Sequence, residues 1–112
     1  MALQMTKSPI LLAKEAMKLS ERSLPAYSSV YSRRDYYTQS QLFTLVVLKH
    51  FFKTDYRGIV QLVGEFSELQ KVIGLKSIPH FVTLCRAENR LLKKEVLRAF
   101  LENFLDEQKQ VA

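Results

Sequence analysis

The most apolar stretch of the chain, LFTLVVLKHFF, extends from Leu42 to Phe52 and is hydrophobic on nearly every side of a helix. Thr38 precedes it as a candidate N-cap, and Gln41 has the spacing of the second half of a capping box. A buried strand is the competing interpretation of LVVL, but strands usually end after about 4–8 residues and this run is longer. The pattern therefore predicts a central core helix over Thr38 to Phe52.

Signals at helix ends predict further helices on both sides of the central one. Ser8 and Pro9 suit the N-cap and first position of an N-terminal helix. This helix is expected to end near residues 21–24, before Pro25. Residues 25–37 show no clear period, so we expect an ordered but irregular connection there.

Two shorter helices are predicted after the central one. Thr54 or Asp55 can cap the first of them, whose apolar residues repeat at helical spacing. Ser67 and Gln70 have the spacing of a second capping box, which would begin a short helix. Gly74 is suited to end that helix in the left-handed conformation.

The segment from Lys76 to Arg90 is predicted to be a loop followed by a helix over residues 79–92, since Pro79 suits a first helical turn. Apolar and basic side chains separate onto opposite sides of this helix. The apolar side comprises Phe81, Leu84, Cys85, Leu91 and Leu92, and the basic side comprises Arg86, Arg90, Lys93 and Lys94. With the two helices before it, this helix would form a helix-turn-helix-like unit that has a loose connection. We therefore predict an all-α fold of five or six helices around the hydrophobic central helix.

The C-terminal stretch is also expected to be helical, but its apolar face points in a different direction. Either the helix breaks near Lys93 to Glu95, or one long helix packs against different bodies at its two ends. The apolar stripe comprises Val96, Leu97, Phe100, Leu101, Phe104 and Leu105. Because little chain remains to cover this stripe, we expect it to contact a later domain, a second subunit or the N-terminal helix.

Length and charge add a class of partner to this picture. The 112 residues suffice for a single domain, 1–112, in which 1–24, 38–92 and 93–112 are the N-terminal helix, the core and the C-terminal helix. Lys and Arg number 17 against 11 Asp and Glu, and the net charge of +6 favours a polyanionic partner. The single cysteine cannot form an internal disulfide, so a cytoplasmic location is expected. The sequence shows neither a secretion signal nor a membrane-spanning run, so no membrane association is expected.

The sequence lacks the motifs of common catalytic and cofactor sites. Its two histidines and one cysteine do not have zinc-ligand spacing, and it contains neither a glycine-rich phosphate loop nor a Gly-x-Ser-x-Gly motif. His50 is interpreted as a histidine at the edge of the core, and Glu88 as a helix-surface acid beside basic neighbours. We therefore predict a chain that is not an enzyme and uses no cofactor or metal.

Basic and polar residues in and before the predicted helix 79–92 are the candidates for binding double-stranded DNA. Arg86, Arg90, Lys93 and Lys94 are the candidates for phosphate contacts. Lys76 precedes the helix, and Ser77, His80 and Thr83 are expected to project from its first turn, where they could contact phosphates or base edges. A solvated helix face and ordinary capping are the alternative interpretations of the same residues. For Arg57, the interpretation stays open between an ion pair with Asp55 or Glu65 and a phosphate contact.

Several short motifs occur in a recognisable order from about Val30 to Leu92: YTQSQL, DYRGIVQLV and SELQKVIGLKSIPHFVTL, followed by the basic helix. This series resembles the N-terminal region of prokaryotic insertion-sequence transposases of the DDE type. The resemblance implies that the segment helps a transposase to bind the terminal inverted repeats of its element.

In that family, a strand that bears the first catalytic aspartate follows the last of these helices. No position up to Ala112 matches the catalytic acids, and Asp106 and Glu107 lie in a Gln- and Lys-rich helical tail instead. The resemblance therefore implies DNA binding without catalysis, in a gene remnant, a first reading frame or an excised domain. The alternatives are a small transcriptional regulator that forms a homodimer through the C-terminal stripe, and a helical interaction module that does not bind DNA.

Overall fold

A computed structural model of the chain describes residues 8–23, 37–93, 95 and 97–102. Its named helices are α1 (Pro9–Ser23), α2 (Gln39–Phe51), α3 (Tyr56–Gly64), α4 (Ser67–Ile73) and α5 (Phe81–Leu91). Residues 95 and 97–102 are also helical and form a sixth segment, α6. Within the described ranges the fold contains no strand, which confirms the predicted all-α class. The helix-turn-helix-like character of α3 to α5 stays a prediction.

Helix α2 is the centre of the fold, as its apolar sequence predicts. Every residue from Leu42 to Leu48 is buried, and α2 packs against α1, α3 and α5. The predicted capping box is present, because the Thr38 Oγ1 accepts a hydrogen bond from the Gln41 amide (3.2 Å) and the Gln41 Oε1 accepts one from the Thr38 amide (2.9 Å). The Gln41 side-chain amide also donates to the carbonyls of Ile73 (3.2 Å) and Gly74 (3.0 Å). The start of α2 is therefore fixed to the end of α4.

Helix α1 covers α2 with a face of small side chains. The Ser8 hydroxyl accepts a hydrogen bond from the Leu11 amide (3.3 Å), so Ser8 caps α1 as predicted. Ala13 and Ala16 are fully buried, and their small size lets the backbones of α1 and α2 approach closely. The helix ends at Ser23, inside the expected interval. Residues 25–36 of the predicted connection lie outside the described part of the chain.

One predicted cap is confirmed and another is wrong. Asp55 caps α3, because its Oδ1 accepts a hydrogen bond from the Gly58 amide at 2.7 Å. Ser67, in contrast, is the first residue of α4 and not its cap; that position belongs to Phe66, which makes no side-chain capping bond. Gln70 instead donates to the carbonyls of Val63 (2.8 Å) and Gly64 (3.2 Å). The physical reason is that the turn between α3 and α4 is so short that Gln70 reaches the unsatisfied end of α3.

The glycine that ends α4 behaves as predicted, whereas the start of α5 differs. Gly74 has φ of 80°, a left-handed conformation that glycine adopts without steric cost. Pro79 is buried in the loop and lies ahead of the helix, because His80 has an extended backbone and caps α5. The His80 Nδ1 accepts a hydrogen bond from the Val82 amide at 3.2 Å.

Helix α6 continues the chain after a break. Residues 92 and 93 form a turn after α5, so the first of the two predicted alternatives is correct. Leu97 and Leu101 are buried, and the Phe100 ring lies 6.0 Å from the Phe43 ring of α2. The expectation that little of the chain remains to cover the stripe is therefore wrong for Leu97, Phe100 and Leu101, which pack against the hydrophobic core.

The rest of the predicted C-terminal stripe, Val96, Phe104 and Leu105, lies outside the described residues. Dimerisation and contact with a catalytic domain stay predictions. In the part of the chain that the structure describes, no helix has the length and apolar character needed to cross a membrane.

Candidate nucleic-acid interface

Helix α5 has one buried face and one exposed face that carries cations. Leu84, Ala87 and Leu91 are buried against the core. On the opposite side, the exposed positions of the helix and of the turn after it are Val82, Arg86, Asn89, Arg90 and Lys93. Spacings of four and three residues place positions 82, 86 and 89 along one line of the helix surface, and Lys93 follows in the turn after the helix. We call these five residues the α5 face.

The structure distributes the predicted DNA-contacting residues over three places. Arg86, Arg90 and Lys93 belong to the α5 face, whereas Lys94 lies outside the described residues. Thr83 is half-buried at the edge of that face. The remaining three, Lys76, Ser77 and His80, are exposed in the segment that precedes the helix.

The expectation that Ser77 and His80 project from the first turn of the helix is wrong. The helix begins after His80, so only Thr83 occupies a helical position. The Ser77 hydroxyl lies 2.9 Å from the hydroxyl of Tyr37, which ties the loop to the residue before α2's cap. His80 is both the N-cap and part of an aromatic contact, because its ring stacks on that of Phe81 with a centroid distance of 4.4 Å.

Arg57 extends the basic surface from α5 to α3. Its guanidinium carbon lies 4.4 Å from the centre of the Phe81 ring, and the residue is exposed. Among the described residues, Arg57 forms no ion pair with Asp55 or Glu65, and Asp55 uses its Oδ1 to cap α3. The contact with Phe81 is a cation–π interaction across the junction of two helices.

Glu88, the acidic residue of α5, points into a polar cluster that joins three helices. Its Oε1 lies 2.9 Å from the Lys49 Nζ and accepts a hydrogen bond from the Tyr56 hydroxyl, also at 2.9 Å. Its Oε2 lies 3.2 Å from the His50 Nε2. The Lys49 Nζ also lies 4.2 Å from the centre of the Tyr56 ring. We call Lys49, His50, Tyr56 and Glu88 the Glu88 cluster.

The Glu88 cluster stabilises the ionised carboxylate although it is largely buried. Burial would raise the pKa of Glu88, but hydrogen bonds from Lys49, Tyr56 and His50 more than offset this effect and lower the pKa below its ordinary value. Burial and the hydrogen bond to Glu88 raise the pKa of Tyr56. Because the carboxylate accepts hydrogen bonds only, the His50 Nε2 must carry the hydrogen in this contact.

This cluster has a consequence for the α5 face. Glu88 is the one acid in the sequence of α5, and its side chain is only 13% exposed while Lys49 neutralises it. The exposed side of the helix therefore carries cations and amides without a competing carboxylate. The arrangement is suited to binding an anion along the length of a helix.

Sequence reasoning missed both the Glu88 pairing and two members of the α5 face. The expectation that Glu88 neighbours basic residues on its own helix surface is wrong, because its partners come from α2 and α3. Val82 and Asn89 are not among the residues predicted from the sequence, although their spacings of four and three residues from Arg86 place them on the same helix face. Val82 is 36% exposed, which is unusual for a large apolar side chain in this fold.

No known protein family, curated protein or solved structure matches this chain. Among the described residues, no group of three or more His, Cys, Asp or Glu side chains is arranged to hold a metal ion. Cys85 is a free, half-buried thiol. The candidate site is thus defined by the geometry of α5 and its neighbours.

Proposed function

We propose that this chain binds double-stranded DNA through the α5 face. The observation that carries the proposal is the segregation of charge on α5, where Arg86, Arg90 and Lys93 are exposed and Glu88 is withdrawn into a cluster with Lys49. Cations on one helix face neutralise phosphates and release counterions, which is the main source of affinity for DNA. The net charge of +6 acts in the same direction.

The dimensions of the helix suit the major groove. Helix α5 has 11 residues, which corresponds to a length of about 16 Å, and an α-helix with its side chains is about 10–12 Å across, which fits the groove width of about 12 Å. Arg90 and Lys93 would contact phosphates at one end of the helix. Val82, Arg86 and Asn89 would face base edges, since valine can contact a thymine methyl group, arginine pairs with guanine and asparagine pairs with adenine.

The sequence supports the same proposal independently of the structure. Residues 30–92 resemble the N-terminal region of DDE transposases, which implies terminal inverted repeats as the target. In that case the chain would locate the ends of a transposable element for chemistry that lies outside these residues, and it would not itself be an enzyme. The geometry of the α5 face does not depend on this origin.

Titration against a random-sequence DNA duplex tests the proposal. The wild-type chain should bind at about 50 mM salt and lose affinity steeply by about 200 mM, because counterion release weakens as salt rises. The R86A/R90A double variant should bind less tightly and with a flatter salt dependence. The matched control is K18A/R22A, which removes the same charge from exposed positions of α1.

Two results would overturn the proposal. If the wild-type chain does not bind any duplex at low salt, the helical interaction module becomes the better interpretation. If R86A/R90A and K18A/R22A weaken binding equally, the effect reflects net charge and the α5 face is not the contact surface. Light scattering on the same samples tests whether the chain forms a homodimer, as the alternative of a dimeric regulator requires, because the measured mass would then be twice that of one chain.

A further inference from the structure

Three side chains from two elements stack at the beginning of α5. The Phe81 ring is in contact with the Arg57 guanidinium at 4.4 Å and with the His80 ring at 4.4 Å, and the two ring planes are inclined by 30°. Phe81 is half-buried, and both of its neighbours are exposed. This stack lies at the end of α5 opposite Arg90 and Lys93.

The capping hydrogen bond determines which nitrogen of the His80 ring is left as a donor. Because the Nδ1 accepts the hydrogen bond from the Val82 amide, the hydrogen of the neutral ring must reside on Nε2. Capping therefore uses one nitrogen of the ring and leaves an N–H group on the other. That group is a hydrogen-bond donor on an exposed residue.

Stacking also orients Arg57. Its guanidinium carbon is held 4.4 Å from the centre of the Phe81 ring, and the planar group carries its N–H donors within its own plane. The planar array of donors matches the oxygens of a phosphate. The nearest acid in the sequence, Asp55, already accepts a hydrogen bond from the Gly58 amide.

We propose that Arg57 and His80, held by Phe81, form a further contact for a DNA backbone phosphate at the beginning of α5. This inference rests on the proposed function and extends the DNA interface from α5 to α3. Because α5 is about 16 Å long and the major groove is about 12 Å wide, an α5 helix that lies across the groove brings its two ends to different strands. The stack contacts the phosphates of one strand, while Arg90 and Lys93 contact those of the other.

The experiment compares salt-dependent DNA binding of four variants with that of the wild-type chain. R57A should reduce affinity about tenfold and lower the slope of log affinity against log salt by about 1, which corresponds to one lost phosphate contact. R57K keeps the charge but loses the planar stacked geometry, so its affinity should fall about threefold with little change in slope. H80N should weaken binding about threefold, because asparagine preserves the cap but its shorter side chain replaces the stacked ring and its Nε2–H group.

R22A is the matched control, since it removes an exposed arginine from α1. Because Arg57 and Arg22 are both exposed, each variant is expected to fold, and circular dichroism verifies this for every sample. If R57A and R22A have the same affinity and salt slope, or if R57K and H80N both bind like wild type, the inference is wrong while the proposed function stands. Absence of wild-type binding would instead contradict the proposed function itself.

Discussion

Lys49 in α2 and Glu88 in α5 form an ion pair across the core, with 2.9 Å between Nζ and Oε1, although their side chains are only 12% and 13% exposed. They lie far apart in the sequence, and their contact joins the central helix to the helix with the cationic face. Largely buried charges of this kind are costly when either partner is lost. The pair thus connects the stability of the fold with the charge that α5 presents.

The first prediction concerns the stability that this pair contributes. E88A should lower the free energy of unfolding by about 2–4 kcal/mol, because it leaves Lys49 without its partner and Tyr56 without its acceptor. Urea unfolding of the wild type, E88A, K49M and the double variant measures the effect. The K49M/E88A protein should be more stable than the sum of the single losses implies.

Simple addition of the two single effects would contradict a direct interaction between these side chains. A control for general helix effects is N89A, which alters the neighbouring exposed position on α5. That variant should change the free energy of unfolding by less than about 0.5 kcal/mol.

The second prediction is a loss of stability in acid. The folded state lowers the pKa of Glu88 from its ordinary 4.5, so the stabilisation is fully present above about pH 4.5. It declines as the pH falls from 4.5 through the lowered folded-state pKa, where the carboxylate becomes protonated in both states. The groups that face this carboxylate are Lys49 and His50 of α2 and Tyr56 of α3.

Unfolding free energies measured from about pH 6 downward test whether the stabilisation by Glu88 declines in acid. The difference between wild type and E88Q should be largest near pH 6 and should shrink as the pH falls below about 4.5, because Glu88 is progressively protonated and then, like glutamine, carries no charge. A difference that stays constant across this interval would show that the charge of Glu88 does not stabilise the fold.

The third prediction uses a buried hydroxyl on α2. Thr44 is fully buried, and its Oγ1 has no hydrogen-bond partner among the described residues. T44V keeps the shape of the side chain and removes the unsatisfied polar atom, so it should raise the free energy of unfolding by about 1 kcal/mol. T44S is the control, since it keeps the hydroxyl and loses a methyl group, and thermal unfolding should rank it below wild type. A T44V protein that is less stable than wild type would indicate that the hydroxyl is satisfied.

The fourth prediction concerns base preference and rests on the proposed function. Asn89 lies on the α5 face between Arg86 and Lys93, where its amide can pair with adenine. Selection from a randomised duplex library should give a motif for the wild-type chain, and N89A should lose about 1–3 kcal/mol of discrimination at one base pair. Its affinity for non-specific DNA and its salt dependence should stay unchanged, because no phosphate contact is removed. If N89A selects the same motif as wild type, Asn89 does not read a base.

Much of the fold follows from local sequence signals. The apolar run of α2, the capping box of Thr38 and Gln41, and the left-handed Gly74 each specify a helix or its end through interactions within a few residues. The predicted cap of α4 is wrong because Gln70 can bond either to the start of its own helix, as in a capping box with Ser67, or to the carbonyls at the end of α3. Tertiary proximity to the end of α3 decides between them.

For the candidate site, the sequence by itself determined that α5 has an apolar side and a basic side, since that depends only on helical periodicity. Only the tertiary structure decided that Glu88 turns inward to Lys49, that Arg57 contacts Phe81, and that Leu97, Phe100 and Leu101 of α6 pack against the core. These contacts join residues on different helices, and their energies depend on distances that the packing of the whole chain sets. Local periodicity therefore specified the helices, whereas burial and long-range pairing determined which charges remain exposed on their surface.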